Sequence, residues 1–282
     1  MTIPTLQLND GTSIPAIGFG TYPLRGDEGY RAIRSALDAG YRVIDSAVNY
    51  HNEEEVGRAI NDFLKESGTP REEVIVQTKL PGRAHEFEKA LASGEESRQK
   101  LGVDQIDVLL IHWPNPITNL YREAWRGLVE LRERGVVRTI GVSNFTPAHL
   151  ANIIEDSGVT PALNQIELHP WFIQEEARAE HERLGIVTQA WSPLGKANAP
   201  FDQEPVVAAA ERLGVTPAQV VLRWHLQIGT MPVPKSATPE RQAQNLDVFG
   251  FELTDTEVAA ISALTKPDGR LFESDPDKHE EF

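Results

Sequence analysis

A closed parallel (β/α)8 barrel, the TIM-barrel fold in the α/β class, is what this sequence predicts, and three observations predict it. Eight short apolar runs recur along the chain: AIGFG (16–20), RVID (42–45), VIVQT (74–78), DVLLI (107–111), TIGV (139–142), LNQI (163–166), IVTQA (186–190) and MPVP (231–234). Between them lie segments with helical periodicity, such as YRAIRSALDAG, EEEVGRAINDFL and YREAWRGLVELRERG. No run has the polar alternation of an exposed edge strand, which favours closure over an open doubly wound sheet, the alternative the pattern leaves standing.

Taken in order, the elements justify themselves locally. TLQLNDGTSIP places Asn9-Asp10-Gly11 between two short extended pieces, the signature of an N-terminal β-hairpin, which we expect to lie as a lid on one barrel end. Thr146-Pro147, Thr216-Pro217 and Thr238-Pro239 each put a capping threonine before a proline at the first helical position. Thr216 and Thr254 have Gln219 and Glu257 three residues on, as a capping box requires. Extra helices are expected near the end of the sequence, and FESDPDKHEEF reads as either a solvated tail or a flap over the barrel. No linker or low-complexity tract interrupts the alternation, so residues 1–282 are expected to form one domain.

Composition narrows the function. With 42 acidic against 27 basic residues, net charge −15, the chain lacks the basic surface that nucleic acid requires. The absence of cysteine removes disulfides, thiolate metal sites and a cysteine nucleophile. Neither a leader pattern nor a membrane-length apolar run is present, which leads us to expect a cytoplasmic monomer acting on small molecules, with no membrane partner.

Chemistry is expected at the carboxyl ends of the strands. There YRVIDSAVNY ends its apolar run in Asp45 and reaches Tyr50 five residues later, while VIVQTKL ends in Lys79 and DVLLIHW in His112. Four ionisable groups on three consecutive strands would share one rim. A phenol titrates near pH 10, too high for an efficient acid at neutrality unless its anion is stabilised. An ammonium about 4 Å away contributes roughly 4 kcal/mol at an effective dielectric of about 20, enough to lower a pKa by up to about three. Lys79 is therefore expected to acidify Tyr50, Asp45 to hold Lys79 charged, and His112 to donate to a substrate carbonyl.

Several motifs in register carry a resemblance to a known family. GFGTY (18–22), IDSAVNY (44–50), TKL (78–80), IHWP (111–114), GVSNF (141–145), NQIE (164–167), WSPLGK (191–196) and PKSATPERQAQN (234–245) resemble the signature segments of the aldo-keto reductases, most closely the bacterial diketogluconate-reductase type. The resemblance implies a barrel that binds NADPH in an extended conformation and reduces aldehydes or ketones to alcohols. It matches Asp45, Tyr50, Lys79 and His112 to a catalytic tetrad with Tyr50 as general acid. It also implies Gly20, Thr21 and Tyr22 beside the nicotinamide ribose, with Asp45 close by, Ser143, Asn144 and Gln165 on the carboxamide, and Trp191 stacked on the ring. Ser192 and Leu194 would contact the cofactor as well. Lys235, Ser236 and Arg241 would hold the adenosine 2′-phosphate, with Asn245 and Gln244 near the adenine. Tyr22, Asn49, His112 and Trp113, joined by the segment around Phe272, would bind small polar carbonyl compounds such as keto acids, keto sugars or dicarbonyls.

Other readings are weaker on the residues themselves. Gly18-Phe19-Gly20 has Pro23 where a Rossmann fingerprint needs its third glycine. A metal-dependent hydrolase needs clustered histidine and carboxylate ligands, and His112 is followed by Trp113 and Pro114, so no metal is expected. A Schiff-base aldolase through Lys79 or Lys235 is opposed, at Lys79, by Asp45. A nucleotide-binding redox sensor or partner subunit without turnover is the remaining alternative.

Overall fold

The computed structural model describes residues 3–196, 199–267 and 269–282; Met1 and Thr2, at the head of the segment read above, fall outside them. The chain opens with an antiparallel pair, β1 (Thr5–Gln7) and β2 (Ser13–Pro15), in register Leu6 to Ile14. Gly11 turns it at φ +86°, a left-handed conformation that favours glycine, and Asp10 accepts hydrogen bonds from the Thr12 N–H and hydroxyl. Ile14 and Leu8 bury themselves against Val43, Ile75, Val108 and Met231, which plugs the barrel end opposite the strand termini. Asp10 and Asn9 tie the plug down through Thr139 and the Pro161 carbonyl.

Eight parallel strands follow: β3 (Phe19–Gly20), β4 (Val43–Asp45), β5 (Ile75–Leu80), β6 (Ile106–Ile111), β7 (Val137–Ser143), β8 (Leu163–Glu167), β9 (Val187–Trp191) and β10 (Met231–Pro232). Each pairs with the next in chain order. The ring closes where Gly18 and Gly20 donate to the carbonyls of Pro232 and Pro234, both at 3.0 Å. Every predicted apolar run coincides with one of these strands. All residues of β5 and β6 are buried, as expected of strands covered on both faces.

The helices are α1 (Gly26–Ala39), α2 (Glu53–Ser67), α3 (Phe87–Leu101), α4 (Tyr121–Glu133), α5 (Pro147–Ser157), α6 (Glu175–Leu184), α7 (Glu204–Leu213), α8 (Pro217–Gln227), α9 (Pro239–Leu246) and α10 (Asp255–Ser262). The extra ones are α7 and α10, which pack with α8 around Val206, Ala209, Trp224, Leu253 and Ile261. Capping boxes form at Thr146, Thr216 and Thr254. Thr238 departs from expectation: it occupies the N-cap of α9 without a side-chain bond, and its own N–H is instead bound by the Ser236 hydroxyl at 3.1 Å.

Between α2 and α3 the close approach depends on a missing side chain. A Cβ on Gly57 of α2 would lie 2.2 Å from the Leu101 carbonyl at the end of α3. Because that obstacle is backbone, Gly57→Ala is expected to cost about 1–3 kcal/mol of stability, read from denaturant midpoints; an unchanged midpoint would mean that the helices part freely.

Candidate active site

Asp45 closes β4, Lys79 is the fifth residue of β5, and His112 follows the last residue of β6, its N–H bonded to the Leu80 carbonyl at 3.0 Å. Tyr50 sits in a single 3-10 turn, Val48–Tyr50, just beyond β4. Strand order thus brings the four side chains together. The Lys79 ammonium donates to both Asp45 oxygens at 2.7 and 2.8 Å, to the Ser46 carbonyl at 2.7 Å and to the Tyr50 hydroxyl oxygen at 3.5 Å. The Tyr50 ring meets His112 edge-on, centroids 5.6 Å apart, and Tyr22 at 5.1 Å.

Burial decides the electrostatics. Lys79 is 0% exposed and Asp45 4%. Loss of solvation draws the Lys79 ammonium below its ordinary range, while Asp45 works in the opposite direction. The expected acidification of Tyr50 does not occur: burial, reinforced by the negative charges of Asp45 and Glu281, holds the phenol well above its ordinary value. The reason is geometric. Lys79 spends its charge on a carboxylate closer to it than the phenol is, so Tyr50 faces an ion pair with little net charge rather than a free ammonium. Its hydroxyl oxygen accepts from Lys79 and its proton is left for another acceptor.

Beneath the site lies a buried polar layer that sequence reading missed in part. Gln77 of β5 donates to Asp45 at 2.5 Å and to Gln189 of β9 at 2.8 Å, and Gln165 donates to Gln189 at 2.7 Å. These amides cross the barrel interior and fix Asp45 from below.

A cleft of about 700 Å³ opens above, a size suited to a nucleotide and a small substrate. Asp45, Tyr50 and His112 line it together with Gly20, Thr21 and Tyr22. Trp113, Ser143, Asn144 and Gln165 form the next part of the wall, and Trp191, Ser192, Leu194 and Lys235 are the remaining predicted residues that line it. Ser236, Arg241, Gln244 and Asn245 lie outside the lining, Arg241 and Gln244 exposed, Ser236 and Asn245 buried. Among the described residues, neither Lys235, on the cleft wall, nor the exposed Arg241, outside it, forms an ion pair.

The amide wall is preassembled. Trp191 donates through Nε1 to the side-chain Oδ1 of Asn144 at 2.8 Å, the Asn144 side chain donates to the His112 backbone carbonyl at 3.0 Å, and the Ser143 hydroxyl donates to the Gln165 backbone carbonyl at 2.7 Å. Asn144 takes a left-handed φ of +63° to do so.

Asn49, predicted at the substrate, is engaged elsewhere in the structure. It is absent from the cleft lining; its amide donates to Glu281 at 2.7 Å and its carbonyl oxygen accepts from Arg83. The segment after residue 269 is a flap, not a solvated tail. Glu167 anchors its start by accepting the Leu271 N–H at 2.7 Å, Phe272 packs on Trp191 at 5.1 Å, and His279 on Trp113 at 4.4 Å. Lys196, which sequence reading left without a role, reaches over Phe272 at 4.2 Å and lines the cleft.

The closed parallel barrel thus holds a buried lysine–carboxylate pair behind a cleft-facing phenol, an arrangement able to pass a proton to a bound substrate. The chain belongs to the Aldo/keto reductase family, whose sequence profile matches residues 16–266. It is 52% identical to 2,5-diketo-D-gluconic acid reductase B from a Corynebacterium species, with 99% of each chain covered. Among solved structures it resembles a Gox0644 mutant in complex with NADPH, at 40% identity and TM-score 0.93, covering 99% of this chain and all of that one. It also resembles the Bombyx mori aldo-keto reductase in complex with NADP, at 36% identity and TM-score 0.88, with 94% of each chain covered.

Proposed function

We propose that the protein is an NADPH-dependent reductase of small polar carbonyl compounds, keto acids, keto sugars or dicarbonyls, with Tyr50 as the general acid. The observation that carries this reading is the Tyr50 hydroxyl, bonded to Lys79 at 3.5 Å while lining the same cleft as His112 and Trp191. NADPH, when bound, supplies hydride to the carbonyl carbon. The cleft-lining amides of Gln165 and Asn144, held in place by their own hydrogen bonds, and the ring of Trp191 suit a nicotinamide, and the cations Lys235 and Arg241 suit a phosphate.

The residues of this chain then divide the work. His112 orients the carbonyl by a hydrogen bond to its oxygen. Tyr50 gives that oxygen its proton, because an alkoxide is a far stronger base than a phenolate even when the phenolate is disfavoured by burial. Lys79, held by Asp45 and the Ser46 carbonyl, keeps one N–H on the Tyr50 oxygen and so supports the phenolate as it forms. Phe272 and Trp113 exclude water from the pocket.

Following NADPH absorbance with a panel of aldehydes, keto acids and diketo sugars tests the assignment; consumption with none of them, despite bound NADPH, would defeat it. Removing the cation in Lys235→Ala should weaken NADPH about ten- to a hundredfold and leave NADH nearly unchanged, as loss of a charge-assisted phosphate contact requires. Titration of both nucleotides by fluorescence quenching measures this, and equal losses would remove the 2′-phosphate assignment.

A further inference from the structure

Glu281 reaches the site from far along the chain. Its carboxylate lies 2.7 Å from Nδ1 of His112, approached off the N–H axis, and that nitrogen is buried with no other partner. Everything around the carboxylate fixes it. Asn49, itself held by Arg83, donates to it at 2.7 Å. Asn115, fully buried, grips the Glu281 backbone from both sides, donating to its carbonyl at 2.6 Å and accepting from its N–H at 3.2 Å. A Cβ on Gly82 would sit 1.9 Å from the Glu281 carbonyl oxygen, so only glycine admits the segment there. Glu280 secures the neighbouring turn by accepting the Ile117 N–H at 2.7 Å.

The chemistry of the ring follows from this placement. A lone pair on Nδ1 would oppose a carboxylate at 2.7 Å, so Nδ1 carries hydrogen. The other oxygen of Glu281 is buried with no side-chain hydrogen bond among the described residues, which favours a nearby positive charge. Nε2 is the ring nitrogen left to the cleft, and to donate to a carbonyl it too must carry hydrogen. We propose that Glu281 is a positioning residue that keeps His112 doubly protonated, so that the carbonyl is met by a cationic donor rather than a neutral imidazole.

The inference rests on the reductase reading above, and it adds that the flap completes the catalytic site instead of only covering it. Burial works to raise the Glu281 carboxyl, and the charge of the adjacent His112 ring, with help from Asn49 and the Gly82 backbone, outweighs it and holds the carboxyl below its ordinary range. The other ionisable groups around the pair are Tyr50, Lys79, Glu280, His85 and His279. Burial pushes His85 down to about 4 and lowers His279, so neither supplies the charge at neutral pH.

The test uses Glu281→Gln, which keeps shape and the Asn49 contact but removes the charge. Ring nitrogen NMR shifts of His112, assigned by their loss in His112→Asn, should show both nitrogens protonated near neutral pH in the unaltered protein. In Glu281→Gln the ring should lose its second proton at lower pH than in the unaltered protein, because carboxylate and imidazolium stabilise each other reciprocally. With NADPH and methylglyoxal, kcat should fall about tenfold at neutral pH while KM and NADPH affinity stay within about twofold. The alkaline limb of the pH–rate profile should move down with the ring, because activity requires the protonated form and is lost as pH rises through its pKa. Glu281→Asp should restore part of both. A His112 titration identical in the two proteins, or an unmoved alkaline limb, would overturn the proposal. Failure of the reductase reading is distinct: the unaltered protein would turn over no carbonyl compound, and the ring nitrogen shifts would still decide whether Glu281 sets the charge of His112.

Discussion

Replacing Tyr50 by phenylalanine should lower the rate of carbonyl reduction by about 10²–10⁴ while NADPH affinity stays within about twofold. The substitution deletes one oxygen, whose hydrogen-bond partner among the described residues is Lys79 at 3.5 Å. The ring contacts to Tyr22 and His112 survive, so cleft shape and fold should be retained. What is lost is the proton that an alkoxide needs at the moment it forms. Because Tyr50 lies well above the ordinary phenol range, it keeps that proton throughout neutral pH, and its own ionisation should not limit the rate there. Steady-state kinetics paired with nucleotide titration separate the effects. Retained turnover with weakened NADPH binding would contradict the assigned role.

Asp45→Ala should be the most destabilising change in the site, by about 3–5 kcal/mol, because it strands a buried ammonium. Lys79 is 0% exposed, and its remaining partners, the Ser46 carbonyl and the Tyr50 hydroxyl, carry no charge. Gln77 loses a hydrogen bond to Asp45 as well. Adding Lys79→Met should recover much of the loss, since the uncompensated charge goes with it; a cycle of the two single variants and the double variant in urea measures the coupling. Additive losses would show that the pair contributes little as a pair.

The parts of this molecule that sequence patterning reveals are those built locally. Asp45, Lys79 and His112 stand out because each ends an apolar run, and parallel strands in a closed barrel present such ends on one rim. Threonine caps are equally local, although Thr238 sits at the N-cap of α9 without a side-chain bond while its N–H donates to Ser236, two residues earlier. Gln77 and Gln189 are different. In sequence they are polar residues inside strands, and only closure of the ring brings together side chains 112 positions apart. Asn49 was placed by likeness at the substrate, yet a distant carboxylate and Arg83 claim its amide. Glu281 gave no signal, since an acid within an acidic run reads as a solvated surface. Its partner lies on another strand end, and no spacing rule links the two. The Tyr50 error has the same origin: composition supplies an ammonium, and only coordinates reveal how fully Asp45 saturates it.

The most direct test of the central claim is the fate of the label when NADPH carrying deuterium at the reactive C4 position is mixed with the protein and an aldehyde or diketo sugar in ordinary water. The account predicts an alcohol with one deuterium on the former carbonyl carbon, formed at a rate that collapses in Tyr50→Phe. Unlabelled alcohol, or the same rate without the tyrosine hydroxyl, would contradict it.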